Sequence, residues 1–231
     1  MNQKSSPKKS EHATRPKLAS TLILLRENMG DVEFLMGKRA MGHRFMPGKF
    51  VFPGGRVDAG DAKAPIATPI CPNMVQTMAK YIPETRAFAT ASAAIRETYE
   101  ETGLKLAKSV LPSGSPKKTP GSFRAFFDNQ LGLDMASLSL LARAITPPYH
   151  AKRFDTWFFT ARADTLIDDP ADLASGELEE LQWVTSDQAN DLDLPMITRM
   201  VLTDLQARTA DPDVGTPFYH KYYGKHVRTL L

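Results

Sequence analysis

The sequence predicts an α/β protein, an α/β/α sandwich in which helices cover both faces of a mixed β-sheet, and three observations predict it. Residues 18–25 and 32–36 are apolar, partly β-branched runs of strand length, separated by the turn-like Glu27-Asn28-Met29-Gly30-Asp31. An alanine-rich run from Arg86 to Ile95 leads into Arg96-Glu97-Thr98-Tyr99-Glu100-Glu101-Thr102 and stops at Gly103, which is the composition and C-terminal punctuation of a helix. Two later strand-like runs, 155–161 and 179–184, are followed by Pro195 and an apolar stripe through Ile197, Met200, Val201 and Leu205. Strands, an acidic helix, more strands and a terminal helix, in that order, suit helices packed around one sheet.

The first two runs read as a hairpin. Residues 41–49 read as a loop that delivers the chain to a short strand at 49–52, ahead of Pro53-Gly54-Gly55. Between 62 and 84 stand Pro65, Pro69, Pro72 and Pro83, which disfavour a long helix and suggest an inserted loop with a helical turn near 74–80. Residues 112–121 have linker composition, and Ser122 is placed to cap a short helix carrying Phe123, Phe126 and Phe127. The aromatic residues Phe154, Trp157 and Phe158 offer either core or a stacking surface for a base.

A chain of 231 residues with 42% hydrophobic and 24% charged residues suits one soluble domain. The expected organisation is a basic, disordered tail over 1–17 and one domain over 18–231, with the inserted loop at about 62–88. There is no membrane-length apolar run and no signal-peptide pattern, and the single cysteine, Cys71, excludes an internal disulfide framework. The expected location is therefore the cytoplasm, or an organelle matrix in a eukaryote. A net charge of +3 is too small to argue for nucleic acid. The C-terminal run Phe218-Tyr219-His220-Lys221-Tyr222-Tyr223-Gly224-Lys225-His226 mixes aromatics with cations, but is short and isolated, and reads as a tail packing on its own domain or on a partner subunit.

Glu97, Glu100 and Glu101 stand at positions i, i+3 and i+4, so a helix puts all three carboxylates on one face. Like charges that close raise one another's pKa. A hard cation relieves that repulsion, because it prefers carboxylate oxygens and water. A solvated acidic face is the alternative. The glycine pair upstream favours the first reading, since Gly54-Gly55 after a strand lets backbone approach a ligand closely.

Together these segments resemble the Nudix box: Gly, five residues, Glu, seven residues, then Arg-Glu-aliphatic-x-Glu-Glu-x-Gly-aliphatic. Gly55 matches the first glycine and Arg96 to Leu104 match the second half, with Thr98 at a usually aliphatic position. Asp61 stands where the box has Glu, and Arg96 lies 35 positions beyond it instead of eight, so 27 inserted residues split the box. The resemblance implies a Nudix-type sandwich and hydrolysis of the pyrophosphate in a nucleoside diphosphate linked to another moiety, with Mg2+ or Mn2+ as cofactor. It implies Glu97, Glu100, Glu101 and the Gly54 carbonyl as metal ligands. Glu97 is also a candidate for orienting or deprotonating water, and Arg96 for positioning a carboxylate. A later glutamate often serves the family as ligand or base, and Glu177 is the choice here, with Glu179 and Glu180 as rivals.

Residues 45–58, the split box, Thr146-Pro147-Pro148 and residues 153–159 are similar to the coenzyme A and acyl-CoA diphosphatase branch, represented in mammals by the motif-19 enzyme. The similarity extends over residues 18–208. That branch implies a substrate with an additional phosphate, for which Arg39, Arg44 and Arg153 are candidate binding residues, along with Lys38 and Lys152. His43 and His150 lie close by in sequence. ADP-ribose and NADH are alternative substrates, and a non-catalytic nucleotide-sensing module is the alternative of another class. The expected partner is a small nucleotide, with neither nucleic acid nor membrane, and with a homodimer as the family's common assembly.

Overall fold

The computed structural model describes residues 14–42, 46–110, 119–171, 173, 178–223 and 225–231. Strand β1 (Lys17–Asn28) turns through Met29 and Gly30 into β2 (Asp31–Arg39). Both turn residues have positive φ, 52° and 92°, as a tight two-residue hairpin turn requires. Two short strands follow, β3 (Phe50–Val51) and β4 (Gly54–Arg56), then a 3-10 turn at Asp61–Lys63 and β5 (Ile66–Thr68). Helices α1 (Pro72–Ala79) and α2 (Glu84–Thr102) lead to β6 (Ala107–Ser109), a short α3 (Arg124–Asp128) and β7 (Leu131–Asp134). The chain continues through β8 (Ser139–Ile145), β9 (Phe154–Arg162), β10 (Leu178–Thr185), α4 (Ser186–Asn190) and α5 (Met196–Ala210). It finishes in the hairpin β11 (Pro217–Tyr222) and β12 (Lys225–Leu230).

Among the described residues the main sheet runs β10-β2-β1-β9-β8-β11-β12, with β3 on β2 and β4 on β1. It is mixed: β1 is parallel to β9 and antiparallel to β2 and β4. A second sheet, β5-β7-β6, lies beside it. Alternation along the central strands creates the layers. Leu22 and Leu24 of β1, with Trp157 and Phe159 of β9, enter a core shared with Ile95 of α2 and Met78 of α1. Ile23 and Phe158, on the other face, pack with Val201, Leu202 and Leu205 of α5. The architecture is the α/β/α sandwich that the order of sequence patterns predicts. Among the described residues no helix is long and apolar enough to cross a membrane.

Some local expectations hold and others differ. The 62–88 segment has the expected helical turn near 74–80 and no long helix before Pro83: Pro72 is the first residue of α1 and Pro83 is the N-cap of α2. The segment also supplies β5 to the second sheet and buries Met74 and Met78. Ser122 does not cap a helix; it lies inside a 3-10 turn, and Phe123 is the N-cap of α3 with no side-chain cap bond. Trp157 and Phe158 are buried and give no open face to a base, while Phe154 is half-buried. The C-terminal aromatic run is a hairpin that extends the sheet, parallel to β8 with Phe218 opposite Arg143. Residues 1–13 and 111–118, which hold most of the expected tail and linker, lie outside the described residues.

Candidate functional site

Alanines and unbranched side chains carry α2 to its last residue, where Gly103 takes the left-handed conformation, φ 80°, and donates its N–H to the Tyr99 carbonyl at 2.8 Å. This termination fixes the rotation of the last two turns against β4. The glycine strand is in turn fixed by β1, with Gly54 opposite Thr21 and Gly55 opposite Ser20.

The three glutamates occupy one face but do different things. Glu101 is 2% exposed and accepts the Gly54 N–H at 2.8 Å. Glu97, with 15% of its side chain exposed, lays its carboxylate over Gly55, where a Cβ would stand 2.5 Å from the carboxyl carbon. Glu100 faces outward, 39% exposed, and accepts from Arg96 Nη1 at 2.8 Å. Arg96 is buried at the centre. Its Nε and Nη2 donate to the two oxygens of Asp61 at 2.7 and 3.2 Å, Nη2 donates to the Arg56 carbonyl at 3.0 Å, and Nη1 is 2.9 Å from Glu97 Oε1. Asp61 is anchored by the Asp58 N–H at 2.7 Å. The two halves of the box thus meet through Asp61 and Arg96 across the inserted segment, and both also hold the backbone that follows the glycines.

Burial pushes the Glu97 carboxyl up to about 7; Arg96 opposes the shift, and Glu100 and Asp61 reinforce it. Burial works against the Arg96 charge, but bonding to Asp61 and the charges of Glu97, Asp61 and Glu100 outweigh it and raise its pKa. Because the folded pKa of Glu97 lies above the unfolded value, the folded form holds its proton longer. The metal-free protein should therefore lose stability as pH rises through the interval from about 4.5 to about 7. The loss is on the order of 3 kcal/mol relative to Glu97→Gln, by the usual conversion of a pKa difference into energy. Urea midpoints of the two proteins, measured across that interval with a chelator present, check this: the difference between them should grow with pH.

The donor set is entirely hard oxygen, three carboxylates beside a backbone carbonyl, and it fits Mg2+ or Mn2+ by type. Burial and carboxylate repulsion hold Glu97 partly protonated without a cation, which is a second mark of a site that favours one. Among the described residues no three Asp, Glu, His or Cys side chains already form a metal cage, because Glu101 is on Gly54 and Arg96 draws Glu97 and Glu100. Glu97, Glu100 and Glu101 are the side chains that would hold the ion. The Gly54 carbonyl has Arg39 Nη2 3.4 Å away, so Arg39 reaches the rim of the site.

The other candidates are dispersed. Arg153 donates to the carbonyls of Thr146 and Thr14, at 3.0 and 2.8 Å, and so joins the β8–β9 loop to the start of the described chain. Glu180 has positive φ, 48°, at a bulge of β10 and pairs with Lys38, whose ammonium lies over Phe50 of the core packed against α5. That is the face of the sheet opposite α2. Glu177, Arg44 and His43 lie outside the described residues. The site contacts made by backbone groups, the Gly54 and Asp58 amides and the Arg56 carbonyl, have no side-chain signature and were not legible in the sequence.

Each glycine of the pair has its own reason. A methyl at Gly54 would meet the Ser20 carbonyl oxygen at 2.5 Å and the Thr21 backbone at 2.8 Å, whereas the nearest atoms to one at Gly55 are those of the Glu97 carboxylate, the far end of a flexible side chain. Gly54→Ala should therefore cost stability, about 1–3 kcal/mol by the usual scale of overpacking, while Gly55→Ala should fold normally and displace Glu97. Melting temperatures and hydrolysis rates of the two variants separate these outcomes.

No protein-family model matches the chain. A curated protein of Caenorhabditis elegans, named "Putative nudix hydrolase 7", is 30% identical over 159 residues, which is 65% of this chain and 45% of that protein. The chain thus spans less than half the length of this relative. The crystal structure of a Nudix hydrolase from Alicyclobacillus acidocaldarius superposes with a TM-score of 0.64 at 28% identity, covering 84% of this chain and 92% of that one. In fold, and over the residues these likenesses cover, the chain is similar to Nudix hydrolases.

Proposed function

We propose that this chain hydrolyses the pyrophosphate bond of a nucleoside diphosphate linked to another moiety, with Mg2+ or Mn2+ held by Glu97, Glu100 and Glu101. The observation that carries this reading is the Glu97 carboxylate seated on Gly55, with Glu101 holding the amide of the adjoining Gly54. A bound divalent ion supplies neutralisation of the diphosphate charge and acidification of water. The chain's own residues supply placement. Arg96 orients the glutamates from beneath, and Glu97, partly buried with a carboxyl near neutrality, can hold or release a proton close to physiological pH. Arg39, at the Gly54 carbonyl, is the cation best placed to meet a substrate phosphate. Glu177 remains the candidate for a second carboxylate, and Gly54 for a carbonyl ligand.

Among substrates, coenzyme A and acyl-CoA lead, on the resemblance of residues 45–58 and 153–159 to that branch. ADP-ribose and NADH follow. The presence of all three box glutamates favours catalysis over a sensing module. A homodimer in the cytoplasm or an organelle matrix completes the proposal. A Mg2+-dependent hydrolysis panel of coenzyme A, an acyl-CoA, ADP-ribose, NADH and nucleoside triphosphates tests it. Release of adenosine 3′,5′-bisphosphate from coenzyme A supports the leading substrate, and turnover of ADP-ribose alone replaces it.

A further inference from the structure

We propose that the tip of the C-terminal hairpin and the neighbouring β8–β9 loop form a binding surface for single-stranded nucleic acid, apart from the acidic helix. Three observations carry it. The first is charge. Neither residues 146–153 nor residues 217–230 contain an aspartate or glutamate, while together they hold Lys152, Arg153, Lys221, Lys225 and Arg228. Two of these are engaged within the fold: Arg153 by backbone carbonyls, and Arg228 by buried Asp204 at 3.0 Å, with Tyr219 OH 3.3 Å away. Among the described residues, Lys152, Lys221 and Lys225 make no ion pair with a carboxylate; Lys152 and Lys225 are exposed, and Lys221 is half-buried against Tyr149.

The second is the placement of aromatic rings among those cations. Lys221 Nζ lies 4.2 Å from the centre of the Tyr149 ring, and Tyr149 OH is 3.4 Å from His226 Nε2. This brings together two segments more than 70 residues apart in the chain. At the turn, Tyr222 and Tyr223 form an edge-to-face pair with centroids 4.5 Å apart, and Tyr223 is 88% exposed with a φ of 44°. That φ is what the first position of a tight two-residue hairpin turn requires, as at Met29, and it leaves the ring open to solvent. Stacking platforms set among cations are what a single strand needs, because each base offers a π-face and each phosphate a charge.

The third is position. The tip belongs to the last two strands of the sheet, with β8 and β9 between it and β1, so an occupant there leaves the glutamates accessible. Charge disfavours one arrangement of a second copy at this edge: a parallel, in-register β12 on β12 would set Lys225, His226 and Arg228 each opposite its own copy. A duplex, whose bases are already stacked, would leave the tyrosines unused.

Fluorescence anisotropy of the whole chain with labelled 12-nucleotide oligouridylate and oligothymidylate at low salt tests the proposal. Binding is expected, with log Kobs falling against log salt at a slope of about −2, corresponding to roughly three phosphate contacts. Tyr223→Ala and Tyr149→Ala should each weaken binding about tenfold, within the usual range for loss of one stacked base. Lys221→Gln with Lys225→Gln should flatten the salt slope. Tyr223 lies at an exposed turn, so its variant is expected to fold, and metal-dependent hydrolysis by all these variants should match the parent. Absence of binding at about 100 µM protein overturns the proposal. So does binding untouched by the tyrosine changes, which marks unspecific charge attraction. Tyrosine-dependent binding to phosphatidylserine vesicles without binding to either oligonucleotide reassigns the surface to membranes, and a change of oligomeric state in Tyr223→Ala reassigns it to self-association.

Discussion

Glu97→Gln is expected to lower kcat by about 10²–10⁴-fold, the range for loss of a positioned acid–base group, while leaving the metal-free protein as stable as the parent or more so above neutral pH. The two effects share one cause. Burial and the charges of Glu100 and Asp61 make the Glu97 carboxylate costly to hold, with its pKa pushed up to about 7. Gln keeps the shape over Gly55 and removes the charge. A variant that is inactive yet undiminished in melting temperature would show that this carboxylate is retained for chemistry at the expense of stability. Near-normal kcat would remove Glu97 from the site. Glu101→Gln provides a companion, since an amide oxygen can still accept the Gly54 N–H that Glu101 now accepts at 2.8 Å. It should fold and lose activity through loss of charge.

Asp61→Ala should produce the largest loss of stability among the site variants, about 3–5 kcal/mol, because it leaves the Arg96 guanidinium buried without its two-oxygen partner. Arg96 is 4% and Asp61 1% exposed, so water cannot readily take the vacated position. In a chain of this length the change corresponds to a fall in melting temperature of roughly 10 °C. Activity should fall as well, since the same guanidinium touches Glu97 and Glu100. Asp61→Asn, which preserves one acceptor oxygen, should cost less. Equal stability of the Asp61→Ala variant and the parent, measured by urea unfolding, would mean that the pairing across the inserted segment contributes nothing.

The acidic helix and its glycine stop are local features, and their face and end are legible in spacing alone. Sequence could not tell that Glu101 would bond a backbone amide or that Glu97 would sit on Gly55, because both depend on the approach of β4 to α2. The prolines of the 62–88 segment limit its helices as read, but their positions within them were not legible. Proline breaks a helix interior but suits its first turn, and only the fold decides which position Pro72 and Pro83 take. The aromatic run of β9 displayed strand character without revealing that both sheet faces would be covered. Trp157 and Phe158 point to opposite cores, so neither meets a ligand. The C-terminal run looked like a tail because its pairing partner, β8, lies more than 70 residues earlier in the chain.

The most direct test of the acidic helix as a metal-dependent catalytic centre is one hydrolysis assay with product identification, run on the parent, Glu97→Gln and Glu101→Gln across the nucleotide panel, with and without Mg2+. The expected result is cleavage of a pyrophosphate bond by the parent only with Mg2+, releasing two phosphorylated products, and near-complete loss in both variants. Mg2+-independent cleavage, or absence of turnover on every substrate while the parent binds the ion, would contradict it.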